Sequence, residues 1–151
     1  MNDNASTGQT LRGNFVMLRA DQLRLLLPQE QVGAASYLEA RPEPTDLPGF
    51  FLRSDVESGD GVVAMSARMW PLDHFPEDRF LITTLHAPQA DVAFCWSEVK
   101  IFIDATLPAQ RLPAPLDWEH GLVSEFVEIG GEVVFCCDAS RLADRAFGQR
   151  N

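Results

Sequence analysis

The stretch Gly121–Leu142, GLVSEFVEIGGEVVFCCDASRL, decides the fold class. Two runs rich in Val, Phe and Ile, 122–129 and 132–137, flank the dipeptide Gly130-Gly131. Glycine reaches positive φ at little steric cost, as the tight two-residue turns require, so the stretch reads as a β-hairpin. In its second strand Val133, Phe135 and Cys137 point one way while Val134 and Cys136 point the other. Two apolar faces predict a strand buried on both sides. Asp138 then reads as the N-cap of a short helical turn through Arg141 and Leu142. A strand covered on both faces has to be sheathed by strands from earlier in the chain.

Those strands are visible. Phe15–Ala20 and Gln22–Leu27 read as a pair joined around Asp21, with Pro28 ending the second. The segment 28–38, PQEQVGAASYL, predicts a short helix with Val32, Ala35 and Leu38 at spacings of three. Three prolines in RPEPTDLPG, 41–49, predict an extended connector without regular structure. Strands follow at 49–54 and 62–69, separated by the acidic tip DVESGDG. After a loop over 70–78 come strands at 79–85, 91–96 and 98–104. The last alternates cleanly, with Val99, Ile101 and Ile103 on one face and Lys100 and Phe102 on the other. A loop with Pro108, Pro113 and Pro115 leads back to the hairpin. Short strands at this spacing, with one or two short helices and no internal repeat, predict an all-β protein built as barrels or sandwiches.

A chain of 151 residues is enough for one domain with a sizeable core, or for two small barrels sharing one. The 46% hydrophobic content excludes disorder, and no apolar run approaches the roughly 20 residues of a membrane span. The opening 1–13, MNDNASTGQTLRG, has neither the cationic start nor the apolar centre of a secretory signal and reads as a disordered polar tail. A net charge of −10 argues against nucleic acid and anionic membrane partners, because both would repel it. Cys95, Cys136 and Cys137 form no C-x-x-C pair, and strand neighbours point to opposite faces, so free buried thiols in the cytoplasm are expected.

Catalytic constellations are scarce. His74, His86 and His120 stand in separate loops, without the close spacing of paired zinc ligands. No G-x-S-x-G elbow occurs. Cys95 lies between Phe94 and Trp96 in a strand, where a thiol is packing rather than nucleophile. Asp55, Glu57 and Asp60 lack the ligand spacing of a calcium loop and read as solvated surface. What remains is a rim of apolar and cationic residues, Phe50, Phe51, Arg53, Met69, Trp70 and Phe75, of the types that dominate protein–protein hot spots. Consecutive Phe50 and Phe51 face opposite sides of a strand, and spacing does not say which faces out.

From about Asn14 to Ala146, the order of these pieces resembles the CheW-like domain of bacterial chemotaxis coupling proteins. The matching pieces are NFVMLRADQLRLLLP, the segment EQVGAASYLEARPEPTDLPG, GFFLRS at the place of the family's Asn-Leu-Arg-Gly signature, VVAMSARMW, RFLITTL, DVAFCWSEVKIFID and the closing GLVSEFVEIGGEVVFCCDASRL. The resemblance implies one domain over 14–146, made of two intertwined five-stranded β-barrels around a shared hydrophobic core. It implies a non-enzymatic adaptor with no catalytic residue, metal or cofactor, coupling a chemoreceptor's cytoplasmic tip to the regulatory domain of a CheA-type histidine kinase. Leu52 and Arg53 occupy the signature's Leu-Arg and would face the partners together with Phe51, which stands at its Asn. Val32 falls near the kinase-contacting region. Phe51 for Asn and Ser54 for Gly alter the recognition surface and suggest a dedicated paralogue serving a surface-motility pathway. The alternative is a small-molecule-binding β-barrel regulator that uses the groove between the barrels as its pocket.

Overall fold

The computed structural model describes residues 9–54, 61–112, 123 and 125–147. The predicted acidic tip with Asp55, Glu57 and Asp60, as well as His120, Pro113 and Pro115, lies outside the described residues. The strands are β1 (Thr10–Ala20), β2 (Leu23–Pro28), β3 (Ser36–Tyr37), β4 (Glu43–Pro44), β5 (Phe50–Leu52), β6 (Gly61–Val63), β7 (Leu81–His86), β8 (Asp91–Trp96), β9 (Glu98–Pro108), β10 (Gln110–Arg111), β11 (Glu125–Ile129) and β12 (Glu132–Cys136). One helix, α1 (Ala139–Phe147), follows them.

Two six-stranded sheets form, in the orders β10-β11-β12-β2-β1-β9 and β3-β7-β8-β6-β5-β4. In each, the two outermost strands are consecutive in the chain. Only Ala109 separates β9 from β10, so one extended segment pairs with β1 along its first part and with β11 at its end. That curls the sheet round on itself. The segment carrying β3 and β4 does the same for the second sheet. Counting each split strand once leaves five staves per sheet, as the resemblance implies. The second sheet, β3 to β8, is inserted whole between β2 and β9 of the first.

Period-2 alternation builds three cores from these strands. Met17, Leu26, Val127 and Val134 fill the inside of the first sheet. Phe51, Val62, Phe75, Ile82 and Cys95 fill the inside of the second. Their strand neighbours Val16, Leu18, Leu25, Leu27, Val63, Phe94 and Trp96 turn the other way, into one shared core with Leu142 and Ala143 of α1. Strands β1, β2, β6 and β8 therefore separate two apolar layers, which is why they read as continuous hydrophobic runs. The hairpin β11–β12 turns at Gly130 and Gly131, with φ of 60° and 84°, the geometry of a type I′ turn. Val134 in β12 and Cys137 just after it are buried as expected, but Val133 is solvent-exposed.

Several expectations are corrected. The predicted helix over 28–38 is a single 3-10 turn at Gln29–Gln31. Beyond it the β-branched Val32 bridges to Leu85 and the chain runs extended into β3. The proline-rich connector does contribute a short strand, β4, on the margin of the second sheet, where a proline without an N–H is tolerated. The strand expected over 62–69 stops at Val63, and a tight turn at Ser66–Met69 follows, with Met69 at φ 66°. β1 begins at Thr10, four residues before the expected start of the domain. Asp138 caps α1 as predicted, its Oδ1 accepting from the Arg141 N–H at 2.8 Å, but the helix runs to Phe147. Gln31 Oε1 accepts from the Ala139 N–H at 2.7 Å, a second cap supplied from the other end of the chain.

Candidate functional site

Three of the four expected site residues, Phe51, Leu52 and Arg53, lie on or just after β5, while Val32 lies apart, bridged to Leu85 of β7. Thr45 Oγ1 donates to the Phe50 carbonyl at 2.7 Å, and β5 pairs with β6 so that Leu52 faces Gly61. A Cβ on Gly61 would collide with the Phe50 ring, so only glycine lets that ring lie across the strand pair. Phe50 packs its other side toward Phe147 of α1, with ring centroids 6.3 Å apart. Phe51 points inward, 1% exposed, and meets Phe75 edge-on at 5.4 Å. Its expected partner-binding role is therefore corrected: Phe51 is a core side chain, because alternation turns it into the second barrel. Of the apolar rim, Met69 and Phe75 are also buried, and Phe50 is half-buried.

Leu52 and Arg53 remain at the surface. Leu52 is 44% exposed, and Arg53 is half-buried. Arg53 lines an open groove of about 420 Å³ together with Ala34, Ser36, Thr84, Asp91 and Phe147. The segment 32–37 borders this groove by running antiparallel to β7, with Val32 bridging Leu85, Gly33 N–H donating to the Thr84 carbonyl at 2.7 Å and Ser36 opposite Ile82. Val32 thus sits at one end of the groove's wall, partly packed on the shared core. The groove carries a cation, Arg53, and a carboxylate, Asp91, which also meets His86 Nδ1 at 3.1 Å. Spacing in the chain does not link Asp91 to Arg53; the parallel pairing of β6 with β8 does.

The roles of two buried arginines, Arg145 and Arg79, were not foreseen. Arg145 of α1 lies over the Trp70 ring at 4.0 Å and donates from Nε to the Met69 carbonyl at 2.8 Å, fastening the helix to the strained 66–70 turn. Arg79 is 1% exposed and donates to the Met65 carbonyl at 2.7 Å and to Asp21 at 3.0 Å. A buried arginine leaves no periodic signal in a sequence.

The chemistry of the thiols is that of packing groups. Burial pushes Cys95 up to about 12, against the opposing pull of the adjacent Arg79 guanidinium. Burial likewise raises Cys137 to about 12 and the less enclosed Cys136 to about 11, the latter with a further rise from Glu125. Such thiols hold their protons at neutral pH and are poor nucleophiles. Among the described residues no group of three His, Cys, Asp or Glu side chains is placed to hold a metal ion, and no helix is long and apolar enough to cross a membrane. The space between the barrels, expected by the alternative reading to be a pocket, is filled by the shared core. An apolar cavity beside it, lined by Leu47, Phe50, Val63, Met65, Pro71 and Phe147, holds about 80 Å³. Ligand pockets typically offer roughly 300–1,000 Å³.

No protein-family model matches the chain, and no curated protein matches it in sequence. Among solved structures, the scaffolding protein TtCheW from Thermoanaerobacter tengcongensis superimposes with a TM-score of 0.57 at 10% identity, over 87% of this chain and 92% of that one. The fold of this protein is that of a CheW scaffold, two curled β-sheets around a common core.

Proposed function

We propose that this protein is a non-enzymatic CheW-like adaptor, coupling a chemoreceptor's cytoplasmic tip to the regulatory domain of a CheA-type histidine kinase. The observation that carries this reading is the likeness to a solved CheW scaffold across nearly the full length of both chains. Raised thiol pKa values support a role without a cysteine nucleophile. The contact surface is Leu52 and Arg53, with the 32–36 segment and Asp91 as its neighbouring wall. Arg is a frequent anchor of such interfaces because its fork of donors recognises carboxylates. Phe51 and Ser54 at the signature's Asn and Gly give this surface its own chemistry and support a dedicated receptor and kinase, as in a surface-motility pathway.

Calorimetric titration of the protein with a CheA-type regulatory domain and with a receptor-tip hairpin tests the reading. Saturable, salt-sensitive binding that Arg53→Glu weakens is the expected result. No heat with either partner, for a protein whose fold is intact, rejects it.

A further inference from the structure

In the second sheet Ile82 pairs with Cys95 and Thr84 with Ala93 in an unbroken register, and Ser36 stands opposite Ile82. Positions 36, 82, 84, 91 and 93 therefore share the inner face with Cys95, a core residue of this barrel. Arg53, two residues beyond the inward Phe51, lines the same space, so the groove is the open mouth of the second barrel. Deeper in, Phe51, Val62 and Cys95 fill the barrel. At the mouth the inward positions carry Ser36, Thr84 and Ala93, too small to close it, and about 420 Å³ stays open. Ligand sites favour the mouths of barrels and typically measure roughly 300–1,000 Å³. Two charges of opposite sign line this space. Strand β6 separates β5 from β8, so Arg53 and Asp91 rise from strands about 10 Å apart. Asp91 Oδ1 meets His86 Nδ1 at 3.1 Å, while its Oδ2 has no partner among the described residues. Past Gly61 the groove reaches the Phe50 and Phe147 rings, an apolar end.

We infer that the mouth of the second barrel binds a free α-amino acid with an apolar side chain. Its carboxylate meets the Arg53 guanidinium, its ammonium meets Asp91, and its side chain turns toward Phe50 and Phe147. A carboxylate and an ammonium on one carbon, with a hydrogen bond outward from each, span about the distance between the two strands. The net charge of −10 repels a plain anion, whereas a zwitterion brings no net charge to be repelled. A plain cation satisfies Asp91 alone and leaves Arg53 unused, so the pair of charges selects for a ligand that carries both. If the protein is the adaptor proposed, the bound amino acid takes Arg53 away from the partner surface. The ligand site itself does not rest on that role.

NMR titration of the full chain with L-leucine and with L-phenylalanine tests this. Each is compared with its N-acetyl and amide derivatives, which lack one of the two charges. Saturable shifts at Ser36, Thr84 and Asp91 are expected with at least one of the amino acids, and its derivatives should bind about tenfold more weakly or worse. Asp91→Asn and Arg53→Gln should each weaken binding to a similar degree. Ala34→Leu, which fills the mouth from an exposed position, should abolish binding at an unchanged melting temperature. No saturation by either amino acid at millimolar concentration, derivatives that bind as well as the parent, or charge variants without effect would each overturn the assignment. A chain that binds leucine but no kinase domain would keep the ligand site and reject the adaptor.

Discussion

The guanidinium of Arg79, two residues ahead of β7, donates to the Asp21 carboxylate in the β1–β2 turn across 3.0 Å, and so ties the inserted barrel to the one that holds it. Arg79 is buried while Asp21 keeps about half its surface, so the charge is desolvated on one side only. The Met65 carbonyl supplies its second acceptor, and Asp21 reaches it from a left-handed turn at φ 57°. A buried cation with both acceptors in place is costly to disturb, because removing one partner leaves the other uncompensated.

Arg79→Ala should therefore lower stability by about 3–5 kcal/mol in chemical denaturation. Asp21→Asn keeps a residue that tolerates the left-handed turn while removing the charge, and should cost about 1.5–3 kcal/mol. A loss below about 0.5 kcal/mol for both would show that the pair is a surface contact of no structural weight.

The thiols set an alkaline limit. In the folded state Cys95 and Cys137 ionise only at about 12, against 9.0 for the free group. Between these values the folded chain binds more protons than the unfolded one, so stability falls as pH rises from about 9 toward 12 and is unaffected below that window. Guanidinium melts at about pH 8, below the window, and about pH 10.5, inside it, should differ more for the parent than for Cys95→Ala/Cys137→Ala. Native-state alkylation at mildly alkaline pH should be slow and should accelerate on unfolding.

Adjacent residues of β5 should behave oppositely. Phe51→Ala empties the centre of the second barrel and should cost about 3–5 kcal/mol. Leu52→Ser, on the exposed face, should change stability by about 0.5 kcal/mol or less and act instead on partner binding. Equal losses of stability would mean that both side chains are core.

Much of the barrel architecture is legible in the sequence for one reason. Strands such as VMLRA and LRLLLP are apolar on both faces because each separates an inner core from the shared one, and the turn at Gly130-Gly131 fixes their closing hairpin. The same property hides the site. When both faces are apolar, alternation cannot tell Phe50 from Phe51, and only the Phe147 ring beside Phe50 and the Phe75 ring beside Phe51 assign them. In β9 clean alternation does not mean burial, since Ile101 and Ile103 lie on a strand at the sheet margin and are exposed. The length of α1 was available in principle, since Ala139, Leu142, Ala143, Ala146 and Phe147 recur at helical spacing on its core side. Arg79 carried no pattern at all; a buried charge is defined by the partners that three-dimensional folding brings to it.

The central claim is that Leu52 and Arg53 form a protein-recognition surface on a scaffold with the CheW fold. Its most direct measurement is a paired titration of wild-type protein and Arg53→Glu against a CheA-type regulatory domain, with melting temperatures taken on the same samples. Saturable binding by the wild type, lost in the variant at unchanged melting temperature, is the predicted result. Equal binding by both proteins, or a variant that loses binding only because it unfolds, would contradict it.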